Sequence, residues 1–587
     1  MAEPRPDALR AEGLRGPYYS TTPAPHFSEA DSSASLSRKN LLDLERQRYA
    51  EVIALRSLLN SGTTINQLPN ELLVKIFMHV RCEDLLIFSW LNLLLVCRHW
   101  FYLVATTASF WRCLLVTYST KLLRTGLARS KGTLVDVSLP IAPVSEDLFS
   151  EILTLIEPHI HRLRSLDLVC AIPEATLRLC NFIDSHSIPR LRVLKLWHAS
   201  ADGEILQLPL SAQRLPDLQT VSTHGFNILS SPSLFPQLRV VEVSSSFGTT
   251  LEVAALIKMV RNLDNIETLH LSGLISRVSA EDAVIDVAPP TDHKVTLHKL
   301  RYLTMFLKAS ITRQLLGNII VPSTSRVLLN ALNALDQIDP PSIMELLPLD
   351  KTVCLPVLSQ LVSATVTING WSEEVAVRGR TAPLTHEQLI SQDSAILFCT
   401  AQTDTTAWGE AAIHVMDPLR AIEDAVKLQA LKIMCNPLSK LDAAWEACFL
   451  AHPMLRELTV TVYYDEPNVD GAEHIIQRLD PGPSDEQIAG VGSVPIPDLM
   501  FLRLRGPWRI TETLLATTKA CLENRRRMLG KQQVLAELLV ECCESLDTDA
   551  FTRDKEAFEK EMSPLVGLVV YSMLGVSSLC SPDGFAS

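Results

Sequence analysis

Apolar residues recur every three to four positions in the stretch 36–60, and charged residues fill the positions between them. That spacing lines one side of a helix with hydrophobic side chains. The sequence Asn60-Ser61-Gly62 would end such a helix. We predict an amphipathic helix over 36–60, either packed beside the next domain or, at fewer than four heptads, forming a short coiled coil. Its apolar positions are Leu41, Leu44, Val52, Leu55 and Leu59.

A denser apolar and aromatic pattern occupies residues 64–115. It is interpreted as three short helices over 69–80, 84–98 and 99–105, followed by an aromatic anchor. Pro69 suits the first turn of a helix because its missing N–H has no intrahelical partner there. In the first helix, three apolar side chains lie on one face of the helix, and two more lie next to that face. They are Leu72, Ile76 and Val80, with Leu73 and Phe77 beside them.

About fifty residues cannot enclose so many large apolar side chains, so some of them are expected to face a partner. An alternative is a helical cap that packs only on the rest of the chain.

Beyond residue 134, the hydrophobic motif L-x-x-L-x-L, or its aliphatic equivalent, returns repeatedly. Starts at 163, 191, 218, 238 and 266 are separated by 28, 27, 20 and 28 residues. Such spacing indicates a repeat architecture. The copies begin at Leu163, Leu191, Leu238, Ile266, Leu300, Leu428, Leu455 and Leu499, with a degraded copy at Leu218.

Five copies carry a proline two residues before their first aliphatic position. Proline ends a preceding helix and is tolerated where a strand begins, so the motif marks the turn from a helix into a strand. Helices are predicted between the strands, for example over 145–160 and 251–262. One such unit cannot bury its apolar face alone, but stacked neighbours complete the core. The prolines are Pro189, Pro216, Pro236, Pro453 and Pro497.

The pattern predicts one curved α/β solenoid, or horseshoe, of parallel strands over residues 130–545. Its register between 306 and 427 is not assigned. An acidic loop rich in glycine and proline is expected at 464–497, either as a binding loop or as a disordered excursion. A C-terminal tail is expected at 546–587.

Composition narrows the class of protein. The chain of 587 residues is 47% hydrophobic and 20% charged, which suits a folded protein. A formal net charge of -13 argues against a nucleic-acid partner. Thirteen cysteines without a C-x-x-C pair indicate reduced thiols, hence a cytoplasmic or nuclear protein. Residues 1–35, rich in proline and serine, are predicted to be a disordered tail and not a signal peptide.

Two apolar runs are long enough to be considered as membrane segments. The run 85–97 is too short to cross a bilayer. The run 564–580 is interrupted by serines and glycines and falls slightly short of a span, so packing within the protein is expected over a tail anchor. We therefore predict no membrane partner.

No motif for catalysis or cofactor binding stands in the chain: neither a phosphate-binding loop, a dinucleotide fingerprint, a nucleophile elbow nor a zinc-protease motif occurs. The protein is predicted not to be an enzyme and to need no cofactor or metal. The run Arg525-Arg526-Arg527 is interpreted as the solvent-exposed face of a helix. A nuclear localisation signal and an anion-binding patch are the alternatives.

The segment 64–115 resembles the F-box family. The matching features stand in the family order over about fifty residues, which makes the ordered set specific. They are Leu68-Pro69, Glu71, Ile76-Phe77, Glu83-Asp84-Leu85, Val96-Cys97-Arg98-His99-Trp100 and Phe110-Trp111.

This resemblance implies docking on the linker subunit of an SCF-type ubiquitin ligase and, through the linker, on its cullin scaffold. The residues expected to contact the linker are Leu68, Pro69, Leu72, Ile76, Phe77 and Leu85. The residues expected to hold the F-box together are Val96, Cys97, Trp100 and Trp111.

The repeats resemble irregular leucine-rich repeats, which often follow an F-box. The expected fold is therefore α/β: an N-terminal three-helix F-box followed by an irregular leucine-rich-repeat solenoid. The resemblance implies a substrate-recognition adaptor that binds an unknown protein substrate. The alternative is a non-catalytic scaffold whose F-box serves another complex.

Overall fold

A computed structural model of the chain divides into two compact units, Met1–Phe110 and Trp111–Ser587. The structure describes residues 32–83, 88–116, 120–139, 145–170, 172–198, 206–244, 253–273, 294–331, 343–369, 374–382, 397–402, 417–435, 442–462, 471–481, 494–506, 511–543 and 548–574. The predicted tail at 1–35 lies outside the described residues except for its last four positions, which belong to a helix.

The described part of the first unit is helical. Its α-helices are α1 Ser32–Ser61, α2 Asn70–Glu83, α3 Leu93–Val96 and α4 Arg98–Thr106. A 3₁₀ turn at Thr64–Gln67 precedes α2. The carbonyl of Pro69 accepts hydrogen bonds from the N–H groups of Leu72 and Leu73, so the proline lies immediately before the first helical turn.

The second predicted helix, over 84–98, is not continuous. Phe88–Asn92 forms a 3₁₀ turn and α3 is a single turn. Cys97 is extended, with φ -156° and ψ 167°, and separates α3 from α4. The segment is apolar on all sides, so its sequence lacks the 3.6-residue periodicity that would distinguish one long helix from two short ones. Residues 84–87 lie outside the described residues.

The second unit contains short strands alternating with helices. The strands are β1 Cys113–Leu115, β2 Val135–Leu139, β3 Leu163–Cys170, β4 Val193–His198, β5 Leu206–Gln207, β6 Thr220–His224, β7 Phe226–Asn227, β8 Val240–Ser244, β9 Thr268–Ser272, β10 Val295–Thr296, β11 Tyr302–Leu307, β12 Ile319–Ile320, β13 Arg326–Ala331, β14 Ser363–Asn369, β15 Glu374–Arg380, β16 Leu397–Gln402, β17 Ala430–Cys435, β18 Glu457–Val462, β19 Phe501–Gly506, β20 Leu535–Cys543 and β21 Val566–Leu574.

The helices of this unit are α5 Lys121–Arg129, α6 Glu146–Ile156, α7 Pro173–Ser185, α8 Val253–Arg261, α9 Ala309–Gly317, α10 Ile343–Leu346, α11 Lys351–Cys354, α12 Asp417–Ala421, α13 Asp442–Ala451, α14 Gly471–Leu479, α15 Glu512–Leu529 and α16 Thr548–Met562. Ser145 caps α6 by accepting a hydrogen bond from the N–H of Leu148, and Thr511 caps α15 through the N–H of Leu514. Gly530, at φ 62°, ends α15 in the left-handed conformation that glycine adopts without strain.

Seventeen of the described strands form one sheet. Neighbouring strands pair in parallel in the order β1, β2, β3, β4, β6, β8, β9, β11, β13 and β16. β15 then runs antiparallel between β16 and β14. Parallel pairing resumes through β17, β18, β19, β20 and β21. The sheet is therefore mixed, with one antiparallel strand among the described residues.

Every copy of the L-x-x-L-x-L pattern places its second aliphatic position on a strand, and these positions share one register across neighbouring strands. Leu166 pairs with Leu194, Leu194 with Val221, and Val221 with Val241. The side chains at these positions are fully buried. Together with the apolar faces of the helices they form one continuous hydrophobic core along one face of the sheet. Alternate residues of each strand point to the opposite face.

The stretch 306–427, for which the sequence indicated no register, contains β13, β14, β15 and β16. β14 and β15 form an antiparallel pair, and β16 continues the parallel series from β13. This reversal interrupts the regular spacing of the motif, which explains why the sequence does not indicate a register there.

Two predicted irregular segments contain regular structure. The acidic loop at 464–497 includes α14, whose buried side chains Ala472, Ile475, Ile476 and Leu479 have helical spacing. Residues 463–470 and 482–493 lie outside the described residues. The tail at 546–587 includes α16 and β21, and β21 pairs in parallel with β20. Most of the described apolar run after residue 564 is thus a strand of the sheet. No helix among the described residues combines the length and the apolar character that crossing a bilayer requires.

Candidate protein-binding surface of the first unit

The inside of the first unit is built around an aromatic contact. The Phe77 and Trp100 ring centroids are 4.4 Å apart, which joins α2 to α4. The indole N–H of Trp100 donates a 2.6 Å hydrogen bond to the side-chain oxygen of Asn66. Leu73 and Phe77 are almost fully buried, as is Val104 of α4. One side of α2 is therefore packed within the unit.

The other side of α2 presents apolar side chains to solvent. Leu72, Ile76 and Val80 are 44%, 43% and 38% exposed. Positions four residues apart lie on one helix face, so the three side chains form a continuous row. Charged Glu71 and Lys75 are exposed alongside it. A row of large aliphatic residues left in water marks a surface that a partner can cover.

Further apolar side chains of the unit are exposed outside α2. Leu95 of α3 is 82% exposed, and Val96 beside it and Tyr102 of α4 are exposed by more than half. Ile65, in the turn before α2, is also exposed. Sequence reasoning missed Leu95, Tyr102 and Ile65. Leu95 belongs to a run of leucines that has no helical periodicity. The sequence of this run therefore does not show which of its leucines face solvent.

The residues predicted to contact the linker differ in their exposure. Pro69, Leu72 and Ile76 are exposed, and Leu68 is half-buried. Phe77 is 1% exposed, so it supports the surface from inside and does not share it. Leu85 lies outside the described residues. Since Leu73 and Phe77 are as apolar as Leu72 and Ile76, sequence alone could not distinguish the buried side of this helix from the exposed one.

The residues predicted to hold the F-box together are also placed differently from one another. Trp100 is half-buried and contacts Asn66 and Phe77, Cys97 is half-buried, and Val96 is exposed. Trp111 belongs to the second unit, where it is buried and lies under the guanidinium of Arg129, 4.7 Å from the ring centroid. That geometry is a cation–π contact between Trp111 and α5.

Comparison with protein families finds an F-box-like domain at residues 65–117. The matched residues include α2, α3 and α4, and therefore the exposed row formed by Leu72, Ile76 and Val80. The chain matches none of the curated proteins with which it was compared. An F-box-like domain indicates a role in SCF-type protein interactions.

Proposed function

We propose that this protein is the substrate-recognition adaptor of an SCF-type ubiquitin ligase. The observation that carries the proposal is the exposed aliphatic row on α2, which lies inside the F-box-like domain. Such a row is suited to a desolvated protein interface, where a few well-placed apolar anchors supply most of the binding free energy. The proposed partner of this row is the SCF linker subunit, which connects to the cullin scaffold.

The second unit is proposed to be an irregular leucine-rich-repeat solenoid that binds the protein substrate. The recurring motif and the parallel register of its strands support this assignment. The sheet face opposite the core carries exposed aromatic side chains that suit an interface: Trp197 is 45% exposed and Tyr302 is 52% exposed. Trp197 stacks on His224 of the next strand, at 4.0 Å between ring centroids, which holds the indole in place.

The proposed mechanism is tethering, without chemistry in this chain. The two units belong to one polypeptide, so a substrate bound to the second unit is held close to a ligase scaffold bound to the first. Substrate lysines therefore reach a high effective concentration near the ubiquitin carrier. Ubiquitin transfer is then performed by a separate enzyme. This role places the protein in the cytoplasm or nucleus, where such ligases act.

The test is direct binding of the purified full-length chain to the purified linker subunit, followed by addition of the cullin. We expect a stable complex of the chain with the linker, and recruitment of the cullin only when the linker is present. A folded chain without affinity for the linker would require the ligase role to be withdrawn. Binding of the linker without recruitment of the cullin would favour the alternative, a scaffold whose F-box serves another complex.

A further inference from the structure

The helix α1 carries large apolar side chains that stay in water. Of its described side chains, over 38–61, all but two are exposed. Removing exposed aliphatic side chains from water is favourable, so a helix with several of them presents a surface that another molecule can cover. Four leucines of α1 are more than half exposed: Leu41 at 64%, Leu44 at 51%, Leu55 at 61% and Leu58 at 71%.

These four leucines belong to one row along the helix. Successive members of the row are separated by three and by four residues in alternation, which is the spacing of a coiled-coil seam. Two charged residues, Arg48 and Glu51, occupy the middle of the row. We call this row the α1 seam, and its members are Leu41, Leu44, Arg48, Glu51, Leu55 and Leu58.

The α1 seam is symmetric about its midpoint, between residues 49 and 50. Leu41 and Leu58 lie equally far from this midpoint, as do Leu44 and Leu55. A two-fold interface requires that when one residue contacts a second, the second also contacts the first across the axis. A second copy of α1 running in the opposite direction meets this requirement, because leucine then faces leucine in all four outer layers of the seam.

The charged centre of the seam favours the antiparallel orientation over the parallel one. Arg48 and Glu51 form an exposed ion pair within α1, with 3.5 Å between Nη1 and Oε2. In a parallel pair of the same register, each of these residues would face its own counterpart, so like charges would meet. In the antiparallel pair, Arg48 of each copy faces Glu51 of the other, and the two ion pairs join into a ring of alternating charges. Attraction in one orientation and repulsion in the other select the first.

We propose that α1 is a dimerisation element that binds a second copy of this chain along the α1 seam, as an antiparallel coiled coil. At its C-terminal end α1 is held to the turn before α2, where the side-chain amide of Asn66 donates a 2.7 Å hydrogen bond to the carbonyl of Asn60. With a rise of about 1.5 Å per residue, the Asn60 residues of the two copies lie about 30 Å apart along the helix pair. The dimer therefore carries one F-box-like domain at each end of the pair.

Sedimentation of the full-length chain, without the linker, tests the dimer. The interface is short, so the concentration series extends to about 100 µM. We expect a reversible dimer, and Leu44→Glu should weaken it about tenfold or more because a carboxylate enters an apolar layer in each half. Leu42→Glu is the matched control, since Leu42 is 46% exposed and lies outside the seam, and it should dimerise like the natural chain. Thermal melting of each variant shows that it remains folded.

Mixtures of two variants determine the orientation. Chains with Leu41→Glu and chains with Leu58→Lys should each dimerise weakly. Their equimolar mixture should recover about tenfold or more in affinity, because antiparallel pairing sets the introduced carboxylate opposite the introduced ammonium group. A mixture of Leu41→Glu with Leu41→Lys is the control, and it recovers only if the helices are parallel.

The proposal is overturned if the folded chain remains monomeric up to about 100 µM, or if Leu42→Glu weakens the dimer as much as Leu44→Glu. Recovery in the second mixture instead of the first, or in neither, overturns the antiparallel pairing. Since the linker is absent from these measurements, their outcome does not depend on the ligase role.

Discussion

The indole N–H of Trp100 donates a 2.6 Å hydrogen bond to Oδ1 of Asn66, thirty-four positions earlier in the chain. The same indole packs against Phe77, so one side chain connects the turn before α2, α2 itself and α4. This contact orients α2, with Phe77 inward and Leu72 and Ile76 outward. The exposed row therefore depends on a side chain that does not belong to it.

We expect substitutions of Trp100 to separate its hydrogen bond from its packing. Trp100→Phe removes the hydrogen bond and should lower the free energy of unfolding of the first unit by about 1 kcal/mol. Trp100→Ala also removes the ring and should cost about 3 kcal/mol. Hydrogen exchange of α2 and α4 measures both losses. Tyr102→Ala, on the exposed side of α4, is the control and should change stability by no more than about 0.5 kcal/mol.

The exposed row should contribute to linker binding without contributing much to stability. Leu72→Ala combined with Ile76→Ala should weaken the complex by about 2 kcal/mol or more, as should Leu68→Ala combined with Pro69→Ala. Phe77→Ala should lower stability as well as binding, because this side chain is buried. Calorimetric titration with the linker and thermal melting must be read together. Leu177→Ala, an exposed leucine of α7, is the control, and a loss of affinity in this variant would contradict the assignment.

Gly225, between β6 and β7, should not tolerate a side chain. Its φ is +75°, and a Cβ atom would lie 2.6 Å from the carbonyl oxygen of His198. Gly225→Ala combines backbone strain with a clash against backbone, so we expect a loss of about 1–3 kcal/mol in the free energy of unfolding. Gly132→Ala is the matched control, because nothing lies within 4 Å of its added Cβ. Equal stability of the two variants in chemical denaturation would refute this prediction.

Arg525 of α15 should be essential for stability. It is 1% exposed and donates to three backbone carbonyls, those of Leu479, Pro495 and Ile496. The run Arg525-Arg526-Arg527 was predicted to be the solvent-exposed face of a helix, but Arg525 lies inside the protein. Arg525→Met should lower the free energy of unfolding by about 3 kcal/mol or more, because buried carbonyls lose their donor. Arg526→Met, one position along on the exposed side, should be near neutral, and denaturation midpoints test the contrast.

Mild acid should destabilise the second unit through its buried histidines. Burial lowers the pKa of His452 below its usual 6.5, although the nearby backbone of Ala425 and the negative charge of Glu423 oppose the shift. Burial likewise lowers the pKa of His270. Below pH 6.5 the unfolded chain then binds more protons than the folded chain.

The stability contributed by each histidine is thus complete above its unfolded pKa and is lost as the pH falls toward its folded pKa. The loss reaches at most about 1.4 kcal/mol per pH unit for one histidine. Denaturation at about pH 7.5 and about pH 5.5 measures it. His452→Leu should lose less stability over this interval than the natural chain. An identical loss in both would show that His452 does not contribute.

The sequence by itself determined those secondary-structure elements whose spacing of apolar residues fits only one kind of element. The buried aliphatic positions of the motif, such as Leu194 and Leu196, are two residues apart, and a strand with one buried face is the structure that satisfies this spacing. The strands of the repeated motif were predictable for that reason. α14 was not, because its four buried positions are flanked by glycine, proline and acidic residues that dominate the composition of the stretch.

Only the tertiary structure decided which of several equally apolar or equally charged residues face a partner. Both sides of α2 carry large aliphatic or aromatic residues, so their periodicity could not separate Phe77 from Ile76. That separation comes from Trp100 and Asn66, which are distant in sequence and close in space. The register of the sheet likewise decides that Arg378, Lys432 and Arg505, which lie on separate strands, share one face of it.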